Sequence, residues 1–310
     1  MKGAMTDDRK TRPGLRQYAP LGQPVDAGSI EPGLYLVATP IGNLGDISLR
    51  ALETLAAADC IACEDTRVTR KLTERYGIGT HLMSYHEHNA DEALPKIIER
   101  LAEGQSVALV SDAGTPLISD PGYRLVQAAV EAGHAVTAVP GASAVLAALS
   151  LAGLPTDRFF FEGFLPPKQG ARQKRIAELV AIPATLVLFE SGPRLGASLA
   201  DLAAGLGARA AAVCRELTKL HEEIRRGDLT ALAAHYAEDA ETRGEIVIVI
   251  APPAMVETAD TDVDELLRHA LARVSVKDAV GEVALATGRA RRDVYQRALE
   301  LAKDGDRGER

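Results

Sequence analysis

The sequence predicts an α/β fold of two α/β domains, with a helical extension at the C-terminus. The first domain is built on a mostly parallel sheet and the second, smaller one on a mixed sheet. Three observations carry this. Short apolar runs alternate with amphipathic helical patterns from residue 34 to residue 151, the signature of βαβ units. Loops rich in Gly and Pro follow three of those runs. After Gly153-Leu154-Pro155 the alternation becomes irregular, and beyond residue 258 only helical spacing remains.

Residues 1–31 are polar and Pro/Gly-rich, without an apolar export-signal core, and read as a flexible tail. The first domain, 32–153, has strands expected at Leu34–Ala38, Cys60–Cys63, His81–Ser84, Val107–Val110 and Ala135–Val139. Helices are expected near Ser48–Ala57, Thr66–Tyr76, Asp91–Glu103 and Tyr123–Ala132, with a fifth from Ala144. The second domain, 154–257, has strands expected at Phe159–Phe161, Thr185–Phe189, Ala211–Arg215 and Glu245–Ala251. Its helices are expected near Lys174–Val180, Leu195–Leu206 and Thr230–Ala237. The extension, 258–310, reads as three amphipathic helices, with Ser275 as an N-cap and Gly288 as a break. The arginines after that break give it the look of a nucleic-acid-binding helix-turn-helix, and a plain packing appendage is the alternative.

Composition narrows the function. The chain has 310 residues, 46% of them hydrophobic, enough for two domains with real cores. Its 35 basic and 43 acidic residues leave a net charge of −8, so a nucleic-acid partner requires a local basic patch. No apolar run reaches the length of a membrane span, so no membrane partner is expected, and the lack of an export signal points to the cytoplasm. Cys60 and Cys63 form a CxxC, but residues three apart on a strand face opposite ways, so they read as ordinary buried cysteines. His86 and His88 have only Glu87 beside them, a thin case for a metal, and none is expected.

The chemistry is expected in the three glycine loops: Thr39 to Asp46, Ser111 to Gly122 and Pro140 to Ala144. Each follows a strand, where α/β sheets bind ligands. None carries G-x-G-x-x-G or a Gly-Lys-Ser/Thr ending, which disfavours nicotinamide and nucleoside triphosphates. Together they would line one crevice for a nucleoside-like cofactor with a charged end. Asp112 can accept hydrogen bonds from its sugar or amine, whereas Asp120 reads as a loop brace. Cys63 to Arg67 and Ser84 to Asn89 end neighbouring strands in acids and histidines, and either could supply a proton acceptor for a hydroxyl nucleophile. In the second domain Lys168, Arg172, Lys174 and Arg175 form a local positive face.

In order along the chain stand TPIGNLGDIS, CEDTR, YHEHN, SDAGTPLISDPG, PGASA, FEGFLP, ESGPR and RELTKLHEE. This ordered set resembles the tetrapyrrole-methylase (class III methyltransferase) superfamily, and within it the small-subunit ribosomal RNA methyltransferases, over roughly residues 34 to 251. The resemblance implies S-adenosylmethionine bound between the two α/β domains and methylation of a cytidine ribose 2′-hydroxyl in the decoding centre of 16S ribosomal RNA. It also implies a homodimer, with the small ribosomal subunit as partner.

Carried over by motif, Pro40, Gly42, Asp112, Gly114, Thr115, Ser143 and Ala144 hold the cofactor, and Leu165, Leu188 and Val213 wall its adenine. The catalytic residues stay open among Glu64, Asp65, Arg67, His86, Glu216 and Lys219, with a carboxylate or histidine expected as the base and Arg67 or Lys219 as the cation. Lys168, Arg172, Arg175, Arg291 and Arg292 are the expected RNA contacts. Two rival readings remain: a methylase of tetrapyrroles, which needs a broad apolar trough, and a non-catalytic RNA-binding module, which needs no cofactor.

Overall fold

The computed structural model describes residues 16–237, 242–253, 260–287 and 289–307. Residues 1–15 of the expected tail and the break at Gly288 lie outside the described residues. From residue 16 the expected tail is part of the first domain. Gln17–Tyr18 (β1) and Val25–Asp26 (β2) pair antiparallel. Tyr18 is buried, and the Arg16 guanidinium donates to Asp59 at 2.8 Å. One aromatic ring and one ion pair dock this segment, and two-residue strands leave no periodicity to read.

The first domain runs β3 (Gly33–Val37), α1 (Leu49–Ala57), β4 (Cys60–Cys63), α2 (Thr66–Arg75), β5 (Leu82–Ser84), α3 (Ala90–Ala102), β6 (Ser106–Val110), α4 (Tyr123–Glu131), β7 (Val136–Val139) and α5 (Ala144–Ala152). Its sheet has the order β5-β4-β6-β3-β7, with every pair parallel. β4 and β6 are buried at every position, because helices cover both faces; their sequences are accordingly continuous apolar runs. Cys60 and Cys63 are buried in β4, and burial pushes both thiols up. The chain leaves β3 toward β4 and leaves β6 toward β7, on opposite sides. The neighbours β6 and β3 therefore form a switch point, and a crevice opens beyond their carboxyl ends.

The second domain runs β8 (Phe159–Phe164), α6 (Gln169–Leu179), β9 (Thr185–Ser191), α7 (Leu195–Leu206), β10 (Ala210–Arg215), β11 (Glu223–Asp228), α8 (Leu229–Ala237) and β12 (Glu245–Ile250). The sheet order is β11-β10-β12-β9-β8; β8 and β9 are parallel and the other pairs antiparallel, a mixed sheet as expected. β11 lies outside the expected strands, because Ile224-Arg225-Arg226-Gly227 carries no apolar run. It is an edge strand with both arginines exposed. One face of this sheet packs Leu186, Leu188, Val213 and Ile248 against α6, α7 and α8. The other packs Val187, Ala212, Cys214 and Val249 against Val145, Ala148 and Leu149 of α5. Helix α5 thus ties the two sheets together.

Residues 253–310 form a separate compact unit. Its helices are α9 (Asp260–Leu271), α10 (Val276–Thr287) and α11 (Arg291–Arg307). Val263, Leu267, Val280, Val283 and Val294 make its core. Ser275 caps α10 by accepting the Asp278 N–H at 3.3 Å. Asp264 receives Arg297 at 2.6 Å, which holds its carboxyl below the usual range. No helix among the described residues is long and apolar enough to cross a membrane.

Candidate active site

The three glycine loops are locked to one another at the carboxyl edge of the parallel sheet. Thr39 and Gly114 exchange backbone hydrogen bonds of 2.9 and 3.1 Å, joining the loops after β3 and β6. The Thr39 hydroxyl donates to the Ser111 carbonyl at 3.1 Å, and that of Thr115 to Ala142 at 3.4 Å. Ser143 caps α5 by accepting the Leu146 N–H. Gly114 sits at φ +82°, and a Cβ there would press on Ile41 at 3.2 Å. The close approach of these loops therefore requires glycine.

Between these loops and the second sheet lies a cavity of about 220 Å³. Gly114, Thr115, Ser143 and Ala144 line it from the first domain. Phe164, Phe189 and Leu217 line it from the second. The rings of Phe164 and Phe189 meet edge to face, 5.6 Å between centroids, forming an aromatic wall. The ionisable side chains around it are carboxylates, Asp120, Glu190 and Glu245, with no basic side chain among the described lining residues. Glu190 is buried and held by the Ser198 hydroxyl at 2.5 Å and the Ser191 N–H at 2.8 Å. Burial, reinforced by the nearby charges of Glu64 and Asp112, pushes the Asp120 carboxyl up to about 6. Burial likewise raises Glu64, with Asp112 adding to it. Asp112 is raised chiefly by burial, against the Asp65 N–H that it accepts at 3.1 Å.

A second cavity, of about 230 Å³, adjoins the first and shares Ile41, Ala113 and Glu245 with it. Pro40, Gly42 and Asp112 line this one, facing Val68 and Lys71 of α2. Lys219 closes it from the second domain, held by Glu216 at 2.8 Å and Glu245 at 2.9 Å. A Cβ on Gly42 would collide with the Lys219 stem, so glycine permits this contact between domains.

The expected cofactor residues thus divide. Gly114, Thr115, Ser143 and Ala144 surround the first cavity, whereas Pro40, Gly42 and Asp112 surround the second. Leu165, Leu188 and Val213 line neither; they lie in the core beneath α6, α7 and α8. The alternation of β9 and β10 sends Leu188 and Val213 to the far face; Phe189 takes the cavity side, and Leu217 reaches it from the loop after β10. Both faces of this sheet are apolar, so the sequence gives no sign of which face meets the first domain. Asp120, expected to brace its loop, also faces the cavity.

Among the catalytic candidates, Asp65 caps α2 and grips Arg67 at 2.6 Å; that guanidinium holds its carboxyl down at about 2. Glu216 and Lys219 pair with each other. His86 stands at the end of β5 with its ring against His88, outside both cavity linings. Of the expected RNA contacts, Lys168, Arg291 and Arg292 are exposed. Arg172 is not available to RNA: it is buried against Asp201 at 2.6 Å. Arg175 grips Glu162 with two bonds of 2.6 and 2.7 Å.

Residues 33–233 match the family of Tetrapyrrole (Corrin/Porphyrin) Methylases, and residues 257–302 match the RsmI C-terminal HTH domain. A ribosomal RNA small subunit methyltransferase I from Mesorhizobium japonicum is 54% identical over 92% of this chain and 97% of its own. A protein of the same name from Erythrobacter litoralis is 52% identical over 89% and 97%. The crystal structure of diphthine synthase superposes with a TM-score of 0.55 at 21% identity, covering 70% of this chain and 89% of that one, which shows the shared fold. This chain belongs to the tetrapyrrole (corrin/porphyrin) methylase family, among its ribosomal RNA small subunit methyltransferase I members.

Proposed function

We propose that this protein uses S-adenosylmethionine to methylate the ribose 2′-hydroxyl of a cytidine in the decoding centre of 16S ribosomal RNA. The observation that carries the cofactor assignment is the first cavity, with an aromatic wall on one side and carboxylates as its only ionisable lining among the described residues. This suits an adenine joined to a cationic sulfonium and amine. Phe164 and Phe189 would flank the adenine, the loops at Gly114 and Ser143 would hold the ribose and methionine parts, and Asp120 would face the positive charge. Bound there, the cofactor supplies an electrophilic methyl group. The chain's own residues hold the acceptor in line, exclude water and take the hydroxyl proton. Asp112 suits that last task, because it lines the adjoining cavity and burial raises it above the ordinary carboxyl range. The Oδ1 of Asp112 is engaged by the Asp65 N–H, which leaves Oδ2 as the proton-accepting atom. A tetrapyrrole acceptor fits less well: the adjoining cavity presents Lys71, Asp112, Lys219 and Glu245 rather than an apolar trough. The RNA name of the close relatives supports the same choice.

The test is a mass measurement. Small ribosomal subunits lacking the modification, incubated with the protein and isotopically labelled S-adenosylmethionine, should yield labelled 2′-O-methylcytidine on digestion. Label on a base, or no label, would overturn the reading. A pH profile checks the cofactor site separately. A cation beside Asp120 favours its ionised form, so binding releases a proton. Affinity for S-adenosylmethionine should climb as pH rises through about 6 and then level off. Asp120→Asn should flatten that climb in calorimetry, and an identical climb in the variant would take Asp120 away from the positive charge.

A further inference from the structure

The basic face of α2, above the second cavity, is unused by any role assigned so far. Helix α2 carries Arg67, Arg70, Lys71 and Arg75 on its exposed surface, against the single exposed acid Glu74. The whole chain is acidic, so this is a local reversal of sign. Arg67 is tied to Asp65. Arg70 and Lys71 have no carboxylate partner among the described residues. Lys71 and Val68 of the same helix line the second cavity, opposite Leu44 and Pro40 of the first glycine loop.

Building on the methyltransferase reading, we propose that this second cavity seats the acceptor nucleotide, turned out of a single-stranded stretch of RNA whose backbone runs along α2. Three features argue for it. The two cavities share Ile41, Ala113 and Glu245, so groups held in each meet across that common wall. Methyl transfer requires such a meeting of two separately held reactants. The second cavity differs in charge from the first: Lys71 and Lys219 balance Asp112 and Glu245, where the first has carboxylates alone, and of the two lysines Lys71 has no carboxylate partner among the described residues. It also has an apolar mouth, with Leu44 and Val68 both partly exposed to solvent. A base that leaves its stack needs such a surface, and RNA is read in single strands by turned-out bases. In the reaction the ribose oxygen bonds to the methyl carbon, the methyl–sulfur bond breaks with its electron pair going to sulfur, and the hydroxyl proton passes to a cavity carboxylate.

Two variants test this, each on the full chain with small ribosomal subunits and S-adenosylmethionine. Val68→Trp fills the mouth of the second cavity from an exposed position. It should lower kcat/KM for the RNA by at least about 100-fold while leaving S-adenosylmethionine affinity within twofold. R70E combined with K71E should weaken subunit binding and reduce the slope of log affinity against log salt by about 1.4, the loss of two single-strand phosphate contacts. Lys96→Glu, at an exposed lysine of α3 outside both cavity linings, is the comparison. Wild-type kinetics in Val68→Trp, or an unchanged salt slope in the charge reversal, would overturn the proposal. If the wild-type protein binds S-adenosylmethionine but methylates no ribosomal substrate, the functional reading itself has failed. Active wild type with indifferent variants refutes only the seat.

Discussion

Ala144→Trp should abolish measurable S-adenosylmethionine binding. Ala144 is the first residue of α5, half-buried, with its methyl in the lining of the first cavity. An indole there occupies the space between the glycine loops and Phe189. We expect calorimetry to show at least about 100-fold weaker binding, or about 2.8 kcal/mol. Because an overpacked alanine can also strain its surroundings, Thr115→Trp provides the second arm. Thr115 lines the same cavity from an exposed position, where a larger side chain has room to leave the fold intact. Leu146→Trp, exposed on the same helix, should bind as the wild type does. Full affinity in both cavity variants, with unchanged melting temperatures, would place the cofactor elsewhere.

The division of the glycine loops between two cavities also shows what the sequence could reveal. The alternation from residue 34 onward fixes the parallel sheet, because β4 and β6 are buried on both sides and must be apolar throughout. Glycine and proline mark the ends of β3, β6 and β7, so the edge where the two cavities lie is legible too. The phase of the second sheet is not. Leu188 and Phe189 are both apolar, and only the position of α5 decides which of them lines the first cavity. The roles of charged residues are hidden for a similar reason. Arg172 and Lys168 look alike in a basic run, but one turns inward to a partner 29 residues away and the other stays in solvent. Asp120 resembles any aspartate before a proline until the fold brings Glu64 and Asp112 near it.

Arg172 therefore carries the largest expected effect on stability. Its side chain is 6% exposed and that of Asp201 7%, with the guanidinium 2.6 Å from the carboxylate. Arg172 also donates to the Pro167 carbonyl at 3.2 Å, while Gln173 donates to Asp201 at 2.9 Å. The group joins α6 to α7 under the second sheet. Burial opposes ionisation of Asp201, but hydrogen bonds from Gln173, Arg172 and Gln169 outweigh it and hold the carboxyl below its ordinary value. Removing the cation leaves a buried carboxylate without its ion-pair partner. Arg172→Ala should cost about 3–5 kcal/mol, read as a lower denaturation midpoint at neutral pH. Replacing both members, Arg172→Met with Asp201→Leu, should recover most of that loss, because neither charge then has to be desolvated. The sign of the pH dependence follows from the lowered carboxyl. Its contribution is present above the unfolded pKa of about 3.9 and is lost as pH falls through the lower folded value. The advantage of wild type over Arg172→Ala should narrow as pH falls and the variant's unpaired carboxyl takes up a proton first, and its carboxylate part should be gone only in strong acid. If Arg172→Ala instead keeps its stability and loses affinity for ribosomal RNA, the side chain reaches the nucleic acid and its burial in the helix pair is wrong.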